Sequence, residues 1–343
     1  MLTGLLGTLN NEPNNQSEAV GSGFLDMLDK VVDKVLKFNT AKEKFNKTYP
    51  KVDHLQRFFN EHAINHFTEV ITNKYNNDKQ PVSIMDLCCG YGLATLNLRE
   101  KLLNNGVEIA KIVGYDVSDD MIEFAQAKST LFSEVKFQKK NVETEFDDVA
   151  QYDVVLCLFG VHWMNDLEPV IAKIHRSLKP NGIFLSLTPI EIHDLFDMRT
   201  AFVNNSKWTD AIAEEARTLH PFYYEKEDYL KPLSKYFTTI YEEKKETKFN
   251  YTHQEYRSFL HSWLQEVRHV TNDVTHEAKK EAIANAFIDD FIASIPKNLT
   301  GNVIIHEDGS IIYTQHTFDF DGKKIELWMI SENNISENFS KNY

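Results

Sequence analysis

Cysteine is scarce in this chain: Cys88, Cys89 and Cys157 are the only three in 343 residues. Two are adjacent, and all three fall in predicted buried strands or at their ends. Neither a disulfide framework nor a zinc spacing can be assembled from them, and a reducing compartment is expected. Basic residues are absent before Lys30, which removes the cationic flank of a signal peptide. No apolar run approaches the ~20 residues needed to cross a bilayer. Cations are short overall: 37 Lys and Arg against 51 Asp and Glu leave a formal net charge of −14. That balance speaks against nucleic acid as a main partner, because phosphate binding needs clustered Lys and Arg. It leaves room for a local basic pocket and a small acidic substrate. There is no GxSxG elbow, no P-loop, no metal-ligand cluster and no internal repeat. With 42% hydrophobic residues, wholesale disorder is excluded. The length suits one large domain or a domain with an elaborated lid. These absences describe a soluble, cytoplasmic protein with no membrane or nucleic-acid partner, whose oligomeric state the sequence leaves open.

What is present is concentrated between Ile84 and Thr95. Val82 to Leu87 reads as a buried strand, Gly90-Tyr91-Gly92 as a tight turn, and Leu93 onward as a helix. Glycines there let the backbone turn and approach a ligand closely, and the helix start offers unpaired N–H groups. A second strand, Ile112-Val113-Gly114-Tyr115, ends in Asp116, a carboxylate placed to bind a ribose with two free hydroxyls. A lone glycine turn could belong to any α/β protein; strand, turn, helix, strand and acid in order narrow it. A dinucleotide site would want a third glycine, where this chain has Thr95. Asp86 would also repel a pyrophosphate across a dry turn. A ligand with a ribose, an ammonium group and no phosphate fits better, and S-adenosylmethionine (AdoMet) is such a ligand.

The rest of the chain can be taken in order. Residues 1–22 are rich in Asn, Gly, Ser and Glu and are expected to be a disordered tail. Residues 23–80 are expected to hold two helices, one over 24–38 and one from about 53 to 74, forming a lid. His62 and His66 lie one turn apart in the second, a spacing that can bind metal, but no third ligand is near and an ordinary surface helix is the default. Residues 81–190 alternate strands and helices and are expected to form the α/β core, a doubly wound sheet. Ser118 should cap a helix carrying acids in its first turn. Val135 to Phe137, Tyr152 to Phe159 and Ile183 to Leu187 should be the third, fourth and fifth strands. Lys179-Pro180-Asn181-Gly182 should stop the helix between the last two. Residues 191–331 are expected to form a helical cap plus strands completing the sheet: helices near 191–218, 251–270 and 275–295, a strand over 237–248, and two late strands (309–318 and 324–330) joined by a hairpin at Asp321-Gly322. Asp308-Gly309 reads as another turn, and residues 332–343 as a loose tail.

Two further groups lie at expected strand ends, where a doubly wound sheet binds its ligand. Asn141 follows the third strand and either pairs with an adenine edge or simply forms a turn. Phe159-Gly160-Val161-His162-Trp163 follows the fourth, and its aromatics serve either packing or the cleft.

These motifs carry a resemblance. Asp86-Leu-Cys-Cys-Gly90-Tyr-Gly92 is similar to motif I of class I AdoMet-dependent methyltransferases, and Asp116 to their ribose-binding acid. Leu158-Phe-Gly-Val-His162-Trp163-Met-Asn-Asp followed by Leu178-Lys-Pro-Asn-Gly182 resembles the juvenile hormone acid and trans-aconitate methyltransferase group. Lys207-Trp208, His220-Pro221-Phe222-Tyr223 and Leu55-Gln56 also resemble the juvenile hormone acid enzymes. The resemblance implies a Rossmann-like sheet with a helical cap. It implies AdoMet held by Asp86, Cys88, Gly90, Tyr91, Gly92, Asp116, Val117, Asn141, Val142 and Phe159, and an acceptor oriented by Gln56, His162 and Trp163, with no metal. Trp208, Tyr223 and Trp263 are candidate walls of the acceptor pocket. The acceptor implied is a small-molecule carboxylic acid, which is ionised at neutral pH and needs no general base. An amine, an alcohol or a protein side chain is the alternative acceptor, and a non-catalytic AdoMet-binding interaction protein the alternative class.

Overall fold

The computed structural model describes residues 54–76, 80–191, 193–212, 214, 217, 224–264, 270–271, 275, 277–296, 303–306 and 310–325. The helix expected over 24–38, both tails, and the turn at Asp308-Gly309 lie outside the described residues.

Helix α1 (His54–Tyr75) comes first, followed by β1 (Val82–Leu87), α2 (Leu93–Asn104), β2 (Ile109–Asp116), α3 (Asp119–Ser129), β3 (Val135–Lys139), β4 (Tyr152–Leu158), α4 (Leu167–Ser177) and β5 (Leu178–Ile190). The second half holds α5 (His193–Asn205), α6 (Lys226–Tyr236), β6 (Phe237–Tyr251), α7 (His253–Trp263), α8 (Glu277–Ser294), β7 (Val303–Ile305) and β8 (Ile311–Lys324). The strands make one eight-stranded sheet in the order β3-β2-β1-β4-β5-β8-β6, with β7 pairing β8. The first five are parallel to one another; β8 runs antiparallel to β5 and β6. The chain winds outward from β1 to β3, then returns to lay β4 on the other side of β1. The order reverses between β1 and β4, which is where a doubly wound sheet opens its ligand crevice.

Both faces of the parallel strands are covered, so successive residues go to opposite cores. Met85, Val155 and Phe184 face one, with Val170, Ile174 and Leu233 from α4 and α6. Ile84, Val154 and Ile183 face the other, with Phe67, Leu98 and Ile122 from α1, α2 and α3. Helix α1 reaches that core because Phe59, Ala63, Phe67 and Ile71 recur every four residues and are all buried. A third core, around Phe202, Tyr256, Leu260, Phe287 and Phe291, joins α5, α7 and α8 to β7 and the first residues of β8. No helix of the described residues is long and apolar enough to cross a membrane.

One expectation is corrected, one is extended and one helix is new. Asp321-Gly322 is not a hairpin: β8 runs unbroken through it, with Asp321 opposite Leu185 on β5 and Tyr241 on β6. Glycine is required there because a Cβ at 322 would lie 2.7 Å from that of Phe237. Helix α4 does stop at Ser177, as expected, and Lys179-Pro180-Asn181-Gly182 then belongs to the start of β5, forming an irregularity opposite Tyr152 and Val154 with Asn181 in the left-handed region at φ +62°. Helix α6 was not expected, since Pro232 lies inside it. Its start is fixed where the Glu225 N–H donates to the Asp228 carboxylate.

Candidate active site

The crevice is built on residues that leave their strands in the left-handed region. Cys88 follows β1 at φ +58°, Phe159 follows β4 at +53°, and Glu191 follows β5 at +53°. Such strain in non-glycine residues collects where loops are held for function. Past Cys88 the chain turns through Gly90 (φ +52°) and Gly92 (φ +73°). The two glycines serve different needs. A Cβ on Gly92 would sit 2.6 Å from the Phe137 ring and 3.0 Å from Ala125, so Gly92 lets α3 and β3 close beneath the turn. A Cβ on Gly90 would meet nothing within 4 Å, so above Gly90 the turn borders open space.

Asp116 organises that space. Its Oδ2 accepts from the Gly90 N–H and its Oδ1 from the Ser118 N–H, both at 2.9 Å. Each oxygen keeps a lone pair for a ligand hydroxyl. Asp86 lies beneath the turn, 2% exposed, and accepts from the Thr95 hydroxyl at 2.5 Å. Burial raises its pKa to about 7, opposed by that hydrogen bond. The position that denies the turn a third glycine therefore has a role of its own: Thr95, 1% exposed, holds the acid. An open-topped turn, a braced carboxylate at the end of β2 and a buried acid below suit a ribose and an ammonium group. Tyr91 stands against Phe124 beside the turn, Val117 is exposed, and Val142 is buried. Asn141 takes the turn-forming alternative: its Oδ1 accepts from the Glu143 N–H at 2.9 Å, leaving its amide N–H groups for a partner. Glu143 in turn accepts from the Asn165 N–H at 2.7 Å, tying the loop after β3 to the one after β4.

At the mouth of β4 the Phe159 N–H donates to Leu187 O at 2.8 Å, and a single helical turn over Val161–Trp163 turns His162 inward and Trp163 outward. His162 is 6% exposed, and its Nδ1 is buried with no hydrogen-bond partner. Burial depresses its pKa to about 3, so the ring is neutral at physiological pH. Trp163, 39% exposed, lies 5.2 Å from the His162 ring and 6.4 Å from that of Phe196. The structure thus brings Phe159, His162 and Trp163 together at the strand ends with the glycine turn and Asp116. Gln56 is in the first turn of α1, with its side chain outside the described residues.

An aromatic group missed in the sequence closes the other side. Phe58 and Phe59 of α1 meet Phe249 of β6 at 5.6 and 5.8 Å, and Phe59 reaches Phe159 at 5.8 Å. The Phe58-Phe59 pair beside Gln56 was the available signal. Trp208 instead belongs to the third core: its indole N–H donates to Asp290 and its ring packs on Phe287. Tyr223 and the Trp263 side chain lie outside the described residues. The histidine pair of α1 holds no metal geometry: the His62 ring bonds Phe58 O, and His66 pairs with Asp321. Among the described residues no group of His, Cys, Asp and Glu could hold a metal ion.

Comparison with known proteins agrees with this geometry. Residues 85–186 match the family model described as a methyltransferase domain. A demethylmenaquinone methyltransferase of Leptospira interrogans is 30% identical over 159 residues, 43% of this chain and 59% of that protein. A malonyl-[acyl-carrier protein] O-methyltransferase of Halalkalibacterium halodurans is 28% identical over 219 residues, 60% of this chain and 74% of that protein. The chain spans about half the length of the curated relatives it matches first. The crystal structure of the YcgJ protein of Bacillus subtilis shares the fold, with a TM-score of 0.52 at 13% identity over 78% of this chain and 99% of that one. Across residues 85–186 the chain carries a methyltransferase domain, set on the fold it shares with the YcgJ protein.

Proposed function

We propose that this protein transfers a methyl group to a carboxylate oxygen of a small, partly apolar acid. The observation that carries the reading is His162: a buried, neutral imidazole with an unpartnered Nδ1, beside Trp163 at the mouth of β4. A ring with its pKa near 3 is a poor general base at neutral pH, but it makes a good hydrogen-bonding post. That suits an acceptor already ionised in water. AdoMet, when bound, supplies a methyl group activated on a sulfonium. The protein's part is alignment and exclusion of water. Gly90, Asp116 and Asp86 would hold the ribose and amino-acid ends, with Tyr91, Val117, Asn141 and Val142 beside the adenosine. His162, the Trp163 N–H and Gln56 would hold one acceptor oxygen while the other attacks. Phe58, Phe59, Phe159 and Phe249 would wall the acceptor's apolar part. The resemblance to the juvenile hormone acid and trans-aconitate group supports an acid, as does the relative named for O-methylation of a malonyl carrier.

The test is AdoMet consumption against a panel of carboxylic acids, with the product identified by mass. Turnover should be flat in pH above the acid's own pKa. His162→Ala should lower turnover about tenfold to a hundredfold with AdoMet affinity within about twofold of the parent. A methyl group found on nitrogen, or a rate climbing steeply through neutral pH, would assign the acceptor to the amines or alcohols. AdoMet binding without turnover on any acceptor would favour an interaction protein.

A further inference from the structure

The glycine turn and the β4 mouth share one more feature, on the side of the sheet away from α1. Cys88 leaves β1 with its side chain in the same core as Cys157 on β4, whereas Cys89 faces the opposite core. The two thiols meet over Gly160. A Cβ placed on that glycine would lie 2.5 Å from Cys157 Sγ, 2.6 Å from Cys88 Cβ and 2.9 Å from Cys88 Sγ. Residue 160 is thus glycine because two sulfurs occupy the volume beside it. The register gives a second, independent measure. Leu87 pairs with Cys157 across adjacent parallel strands. Cys88 is one residue past that pair, on strands that neighbour at about 4.8 Å. Disulfides span Cα separations of about 4.4–6.8 Å.

We propose that Cys88 and Cys157 form a redox pair, which a hydroperoxide converts to a disulfide that weakens AdoMet binding. This rests on the AdoMet site as assigned above, since Cys88 leads directly into Gly90 and Cys157 lies just before Phe159. Cys88 is partly exposed and meets the oxidant. Its sulfur, losing its proton, attacks one peroxide oxygen: an S–O bond forms, the O–O bond breaks, and hydroxide leaves with that proton as water. The Cys157 sulfur then attacks the sulfenic sulfur: the S–S bond forms, the S–O bond breaks, and hydroxide departs with the Cys157 proton as a second water. Two thiols lose two electrons and one hydrogen peroxide gains them. Cys157 is suited only to the second step. Its thiol is fully buried, and its pKa is held well above the usual range by the hydrogen bond to Cys88 and by burial. The bond would draw Cys88 toward β4 and turn the Gly90 N–H away from Asp116, the contact that braces the carboxylate.

The experiment treats the full-length protein with hydrogen peroxide and reads two quantities. Mass spectrometry of the thiol-blocked digest should show a Cys88–Cys157 linkage with loss of about 2 Da, reversed by dithiothreitol. Calorimetry should show AdoMet affinity falling about tenfold or more on oxidation and returning on reduction. Cys157→Ala should bind AdoMet as the untreated parent does and should keep that affinity, within about twofold, after peroxide. A Cys88–Cys89 linkage, sulfinic acid at Cys88 without a cross-link, or a Cys88–Cys157 linkage with unchanged affinity would each overturn the proposal. Failure of the reduced parent to bind AdoMet would instead strike the site assignment, which the linkage measurement does not depend on.

Discussion

Strands β1 to β5 are parallel and, apart from the edge strand β3, largely apolar on both faces, whereas β8 and β6 lie antiparallel at one side and bring charge onto the sheet. All six residues of β1 are buried, and its only acid, Asp86, is bonded by a threonine nine residues away. On β8, Asp321 is fully buried, and its partner His66 comes from α1, 255 residues earlier in the chain. Asp319 beside it bonds Lys245 of β6 at 3.2 Å, and Lys245 also bonds Glu243 at 2.8 Å. Burial in the parallel half is mostly hydrophobic, and the acid it buries on β1 finds its partner nine residues away. In the antiparallel half each buried charge needs a particular partner from elsewhere in the chain. The cofactor side of the cleft is therefore a local construction, and the side that α1 covers is a long-range one.

The sharpest way to break the parallel half is Gly92→Val. The new side chain would meet both a left-handed backbone and the Phe137 ring, and a loss of about 3 kcal/mol is expected. Urea denaturation measures it. Gly90→Val is the matched control: it bears only the backbone strain, about 1–2 kcal/mol, but intrudes on the open space of the site and should abolish AdoMet binding. Equal stability losses in the two variants would mean that α3 and β3 yield under the turn, contrary to the close packing there.

Asp116→Ala probes function where Gly92→Val probes packing. The carboxylate bridges two loop amides and keeps acceptor capacity on both oxygens. Its loss should cost AdoMet about 1.5–3 kcal/mol of affinity, roughly tenfold to a hundredfold. Isothermal calorimetry reads this, and unchanged affinity would remove Asp116 from the site.

The same contrast explains what could be read in the sequence. Strands β1 to β5 and their helices announce themselves through short-range signals: apolar runs of five to eight residues, a serine cap, glycines at the turn. Asp116 was legible because its place follows from the strand before it. Thr95 was visible only as a missing glycine, since nothing local says that its hydroxyl meets Asp86. Cys88 and Phe159 are left-handed without being glycine, a conformation their side chains do not advertise. Asp321-Gly322 has the composition of a hairpin but sits in an unbroken strand, because the pairing of β8 with both neighbours overrides the local turn signal. His66 looked like half of a metal pair or a surface residue, because its true partner is distant in sequence.

That pair gives the smallest and most specific effect. His66 donates to Asp321 at 2.7 Å and contacts the Tyr241 ring. The hydrogen bond to Asp321 raises the His66 pKa above 6.5, burial opposes it, and the charges of Asp321, Asp319 and Lys245 act in turn. Glu243 and Tyr241 of β6 complete the groups facing it. A raised histidine binds its proton more tightly folded than unfolded. Its contribution is therefore complete below pH 6.5 and is lost as pH rises through the folded value. The His66 side chain is 35% exposed, so solvent screening limits the change to about 1 kcal/mol or less. Between pH 6 and 9 the unfolding free energy from urea titrations should fall by that much more in the parent than in His66→Asn, since Asp86, held near 7, contributes the same fall to both. Asp319 is also held above its ordinary 3.8, first by burial, and so loses stability in the same direction starting from acid. Asp319→Asn, which removes one of the charges that raise His66, should make the alkaline fall smaller without abolishing it. A fall of equal size in the parent and in His66→Asn would place its whole origin outside the antiparallel half and dissolve the distinction between the two sides of the sheet.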